Sequence, residues 1–77
     1  MWLKVKTGKD TQVALNPRYI SHIRLERIPK VDKKLNKRTV VYVIKIYTDE
    51  DVYLYSTFKK PKDAVQEFNG LINQLEV

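Results

Sequence analysis

The sequence predicts an α+β domain: a mainly antiparallel sheet of four or five strands with one C-terminal helix packed on one face. Three observations lead there. Apolar residues alternate with polar ones at period two in several short runs, the pattern of half-buried strands. Between Thr39 and Thr48 every residue but Lys45 is Val, Ile, Thr or Tyr, the composition a pleated surface favours. From Pro61 onward the apolar period changes to that of a helix.

The elements follow in order. Trp2-Leu3-Lys4-Val5-Lys6 alternates, with Leu3 and Val5 facing inward and Trp2, Lys4 and Lys6 outward. Thr7 to Asp10 reads as a turn, in which Gly8 can supply a positive φ, and Thr11 to Leu15 returns with Val13 and Leu15 inward. Asn16-Pro17 stops that strand, since proline removes a ladder donor and restricts its predecessor. Arg18, Tyr19 and Ile20 form a short turn. A third strand spans about Ser21 to Ile28, with Ile23 and Leu25 on one face and His22, Arg24 and Glu26 on the other. Pro29 ends it. Residues 29–38 then read as an exposed, mobile loop, rich in Lys and without a clean period.

Thr39 to Thr48 is the central strand. Val40, Tyr42, Ile44 and Ile46 share one face; Val41, Val43, Lys45 and Tyr47 share the other. Asp49-Glu50-Asp51 is a polar turn, and Val52 to Ser56 returns, Val52 and Leu54 alternating with Tyr53 and Tyr55. The helix spans about 61–76. Pro61 suits its first position, where an N–H would be unpaired anyway, and Asp63 complements the helix dipole. Ala64, Val65, Phe68, Leu71, Ile72 and Leu75 form its apolar stripe, and Gly70 lies on the polar side.

Seventy-seven residues make one domain, 1–77, of modest stability. The chain has no cysteine, which rules out disulfides and thiolate zinc sites and fits a cytoplasmic location. No apolar run approaches the ~20 residues of a membrane span, and the first residues lack a signal peptide, so no membrane insertion is expected. The charge is asymmetric: residues 1–38 carry eleven basic and three acidic side chains, residues 39–77 four and six. A basic first half suits an anionic partner, or simply solubility.

Catalysis finds little support. His22 is the one histidine, and the two glycines, Gly8 and Gly70, make no phosphate-binding loop. The carboxylates at 49–51 lack calcium-loop spacing and read as an acidic hairpin turn. The chain is therefore expected to be a non-enzymatic binding module, with no cofactor, metal or small-molecule substrate.

Because one helix covers one sheet face, the other face is the candidate site. It is expected to display Trp2, Lys4, Lys6, Arg24, Lys45, Tyr47, Tyr53 and Tyr55, with Val41 and Val43. One reading is a protein-interaction or homodimerising surface, since Tyr and Trp are common at interfaces. The alternative is single-stranded nucleic acid, with bases stacked on the rings and phosphates held by sheet cations and by Lys33, Lys34, Lys37 and Arg38 of the loop. A third reading buries these aromatics in a curled sheet. The stacking surface requires Trp2, Tyr47, Tyr53 and Tyr55 to share one exposed face.

The cadence of Asn16, Tyr19, Ile20 and Ile23, followed by a strand, an acidic turn, a strand and a helix, resembles the C-terminal half of LytTR-type bacterial DNA-binding domains. It is also similar to small FlbD-like bacterial proteins. The basic Arg-His-Arg-Ser-like run ahead of the asparagine in LytTR domains has no counterpart between Trp2 and Leu15. The resemblance implies a bacterial type of binding module and the same order of elements, and it adds slightly to the nucleic-acid alternative.

Overall fold

The computed structural model describes residues 2–75. Five strands, a single 3-10 turn and one helix follow one another: β1 (Leu3–Lys6), β2 (Gln12–Leu15), the 3-10 turn Pro17–Tyr19, β3 (Ile20–Asp32), β4 (Lys37–Thr48), β5 (Val52–Phe58) and α1 (Pro61–Leu75). The α+β class and the C-terminal helix agree with the sequence. The strands divide into two antiparallel sheets: the hairpin β1–β2, and a three-stranded sheet in the order β3-β4-β5. The predicted end of the helix at residue 76 lies outside the described residues.

One hydrophobic cluster joins these pieces. Leu3, Val5 and Leu15 of the hairpin, Ile44 and Ile46 of β4, and Leu71 of α1 are buried together. Half-buried Ile23, Leu25, Tyr53, Tyr55, Phe58, Phe68 and Leu75 pack around them. Ile44 and Ile46 are fully inaccessible because hairpin and helix cover the same side of the β3-β4-β5 sheet. Along α1 the covering residues are Ala64, Phe68, Leu71 and Leu75, a narrower stripe than the sequence suggests. Val65 leaves it and is 46% exposed. Among the described residues no helix is long and apolar enough to cross a membrane.

The turns have identifiable causes. In the β1–β2 loop the Thr7 hydroxyl donates to the Thr11 hydroxyl at 3.0 Å, and the Thr7 N–H donates to the Thr11 carbonyl. The turn does not call on Gly8 for a positive φ. The value of Gly8 is space: a Cβ there would lie 2.6 Å from Thr11 Oγ1. At the β4–β5 turn the Thr48 hydroxyl accepts from the Asp51 and Glu50 N–H groups and donates to the Asp51 carbonyl. These three bonds gather residues 49–51 into a turn.

Two corrections concern the longest hairpin. Pro29 does not end β3, and residues 29–38 are not a loop. β3 continues to Asp32 and pairs with β4 in register, Pro29 opposite Val40 and Asp32 opposite Lys37. A proline is tolerated because β3 is an edge strand, where a missing N–H need break no ladder. Only Lys33–Asn36 form the turn. Asn36 has φ 48°, a conformation asparagine accepts more readily than most residues, and Asp32 Oδ1 accepts from the Lys34 N–H at 3.0 Å. The result is a two-stranded ribbon that extends past the core, with every residue from Pro29 to Thr39 exposed.

The third correction concerns β5. The β4–β5 register sets Tyr53 opposite Ile46 and Val52 opposite Tyr47. Tyr53 therefore faces the covered side with Ile46, and Val52 faces away. A bulge opposite Ile44 and Lys45 inserts Tyr55, which also packs against the core and reaches Glu67 of α1 with its hydroxyl at 3.5 Å. Alternation alone could not say which set faced in. Pairing with β4 decides it against the more apolar pair.

Candidate interaction surfaces

The uncovered face of β3-β4-β5 carries His22, Arg24, Glu26 and Ile28 from β3, Val41, Val43, Lys45 and Tyr47 from β4, and Val52, Leu54 and Thr57 from β5. Its centre is a polar network. Glu26 Oε2 takes Lys45 Nζ at 3.0 Å, and Glu26 Oε1 lies 3.9 Å from Arg24 Nε. Tyr47 donates its hydroxyl to Glu26 Oε1 at 3.4 Å. His22 stacks on the Tyr47 ring, centroids 4.4 Å apart and planes within 12°, and the Arg24 guanidinium lies 5.8 Å from that ring centre.

The electrostatics follow from this packing. The Lys45 hydrogen bond is the main influence lowering the Glu26 pKa, and it outweighs partial burial with help from the Lys45 and Arg24 charges. The same bond raises the Lys45 pKa. On the covered side, burial is the chief cause of the raised Tyr55 pKa, reinforced by the Glu67 carboxylate. Val43 is only 5% exposed although it points away from the core, beside Glu26 across the strand. Val52 and Leu54 stand at the β5 edge and are 54% and 53% exposed.

The structure thus divides the residues singled out from sequence. Arg24, Lys45, Tyr47, Val41 and Val43 share the open face, as expected. Tyr53 and Tyr55 face the core, because the β4–β5 pairing places them there. Trp2 directly precedes β1 and lines a groove that also includes Tyr53. Lys4 and Lys6 are exposed on the hairpin, which forms a separate sheet. Lys33, Lys34, Lys37 and Arg38 sit at the ribbon tip. The four rings do not share one face, so the stacking platform expected from sequence is not assembled.

Trp2 belongs instead to a groove of about 470 Å³ that the sequence did not reveal. Trp2, Tyr19 and Tyr53 line it, with Asp49 and Glu50 from the β4–β5 turn. Asn16 explains the exposure of Tyr19. Its side chain accepts from the Arg18 N–H at 3.1 Å and its carbonyl accepts from the Tyr19 N–H at 2.9 Å, which caps the 3-10 turn. That turn holds Tyr19 67% exposed. The Asn-Pro stop was the local signal; the meeting of residues from three distant segments left none. Among the described residues no group of three His, Asp or Glu side chains is placed to hold a metal. No family model, curated protein or solved structure matches the chain.

Proposed function

We propose that this chain is a non-enzymatic binding module whose open sheet face docks against another protein, with a second copy of the chain as the simplest occupant. The observation that carries this reading is the uncovered face itself. It places two exposed aliphatic residues, Val52 and Leu54, beside an ordered patch of Tyr47, Arg24, Glu26 and Lys45. Tyrosine and arginine are among the residues that interfaces favour, and the exposed aliphatic edge beside them adds apolar surface to cover. His22 is engaged with Tyr47 and lies 3.2 Å from the Ser21 hydroxyl, and Glu26 is held ionised between two cations. Neither arrangement resembles a poised acid or base, which supports binding over catalysis. The absence of cysteine supports a cytoplasmic setting.

Sedimentation velocity over a concentration series tests the reading. Leu54 is about half exposed, so covering it adds ~1 kcal/mol per copy and ~2 kcal/mol per face-to-face dimer. Val52→Lys with Leu54→Lys removes more than this by opposing like charges, and dimerisation should weaken by at least about tenfold. A wild-type chain that stays monomeric up to about 1 mM, the range of weak contacts, refutes the face-to-face dimer.

Nucleic acid is the second reading, supported by the ribbon rather than by stacking. Lys30, Lys33, Lys34, Lys37 and Arg38 stand exposed on a two-stranded element, a shape that duplex grooves admit. The LytTR resemblance favours the same reading. It calls for affinity that falls steeply with salt and is lost when Lys33 and Lys34 are neutralised.

A further inference from the structure

The ribbon tip and the aromatic groove lie at opposite ends of β4. Lys37 begins that strand and Thr48 ends it, a separation of ~36 Å at the usual rise per residue. The whole molecule is 43 Å long. The two ends also differ in charge. Residues 30–38 carry five basic side chains and one acidic, whereas Asp49, Glu50 and Asp51 follow one another at the far end. Among the described residues neither set forms an ion pair; those present involve Arg24, Glu26 and Lys45.

The groove has the chemistry of a cation site. Trp2, Tyr19 and Tyr53 offer ring surface, and Asp49 and Glu50 stand on its rim. A cation attracted by the carboxylates gains further from lying over ring faces. The ribbon carries the largest group of exposed cations in any one segment and is pre-ordered, but its own tip is a strand length away and cannot fold back.

We propose that the ribbon tip of one copy docks in the aromatic groove of another, so that copies join head to tail. Lysines of the tip, foremost Lys33 and Lys34, enter between Trp2, Tyr19 and Tyr53 and meet Asp49 and Glu50. This contact is heterologous. It leaves a free groove at one end of any pair and a free tip at the other, so growth continues until a ring closes or an open filament forms. It uses neither Val52 nor Leu54 and is independent of the open-face reading.

Two half-disabled chains test the proposal. In one, Lys33, Lys34, Lys37 and Arg38 are replaced by Ser, which leaves the groove intact. In the other, Trp2→Ala, Asp49→Asn and Glu50→Gln disable the groove and leave the tip. All these positions are exposed, and circular dichroism checks that both variants fold. The wild-type chain should form species larger than a dimer at low salt, weakening by about tenfold or more as salt rises from ~20 to ~200 mM. With Val52→Lys and Leu54→Lys added to both so that the open face is silenced, each variant alone should be monomeric. Mixed, they should form a one-to-one complex and stop there. Trp2 of the tip variant is then the single tryptophan present, and its emission should shift as the groove variant is added. A second groove variant, Asp49→Asn with Glu50→Gln and Trp2 retained, should also lose self-association. A wild-type chain that remains monomeric at low salt overturns the proposal, as does a mixture that forms no complex. Salt-sensitive oligonucleotide binding lost in the tip variant, with no self-association in the wild type, assigns the tip to phosphates and also overturns it.

Discussion

Leu71→Ala and Val65→Ala make the most discriminating pair of substitutions in this fold. Both residues belong to the apolar stripe read from sequence, both lie in α1, and both changes place a better helix former there. Leu71 is 2% exposed and packs in the cluster with Leu3, Val5, Leu15, Ile44 and Ile46; Val65 is 46% exposed. Truncating a fully buried leucine removes its transfer free energy and leaves a cavity, together ~3 kcal/mol. A chain of this size has a total stability on the order of 4–12 kcal/mol, so Leu71→Ala removes a large fraction of it. At Val65 about half of a smaller side chain is buried, worth ~1 kcal/mol, and the helix propensity gained offsets ~0.5 kcal/mol. The net change is within about 0.5 kcal/mol. Urea unfolding followed by far-ultraviolet circular dichroism measures both. With a slope of ~1 kcal/mol/M, the Leu71→Ala midpoint should fall by ~3 M or the variant should be unfolded without denaturant, while Val65→Ala should barely move. Equal losses at the two sites would refute the placement of α1 on the sheet.

Two further outcomes follow from local features. A Cβ at Gly70 meets nothing within 4 Å, and the residue sits inside α1, so Gly70→Ala should stabilise the chain by about 0.5–1 kcal/mol in the same urea assay. The Glu26 pKa is lowered from its ordinary 4.5, so its contribution is complete above that value and is lost as pH falls through the lower folded value; Lys45, raised above 10.5, contributes below 10.5 and loses its effect as pH rises through the higher folded value. Glu26→Gln should flatten stability against pH at both ends, and an unchanged acid slope would show that other carboxylates govern it.

Much of the fold was legible because it rests on patterns of one segment. The period-two runs around Leu3, Val5, Val13 and Leu15, the β-branched strand through Ile44 and Ile46, and the Pro61 start of α1 each name their element without help. What was not legible depends on pairing. The register of β5 on β4 turns Tyr53 and Tyr55 inward, and no property of Val52–Phe58 alone encodes that choice. Residues 29–38 read as a loop because lysines and Pro29 obscure alternation; the ladder to β4 makes them a ribbon. For the site, Lys45, Tyr47 and Arg24 were placed correctly because they share strands whose inner faces are plainly apolar. The groove escaped notice because Trp2, Tyr19, Tyr53 and Glu50 meet only after the chain has folded.

Pro29 has a consequence for how this molecule tolerates its neighbours in a crowded solution. β3 is thirteen residues long and its outer side has no strand beside it. A long bare edge of this kind invites strand addition and, with it, fibril growth. Pro29 lacks the N–H that an incoming strand would need at that point, and Arg24, Arg27 and Lys30 set positive charges along the same strand. An identical chain approaching edge-on would find a donor missing there. The residue that interrupts the sequence pattern thus leaves the fold intact while protecting the length of the ribbon from sideways aggregation.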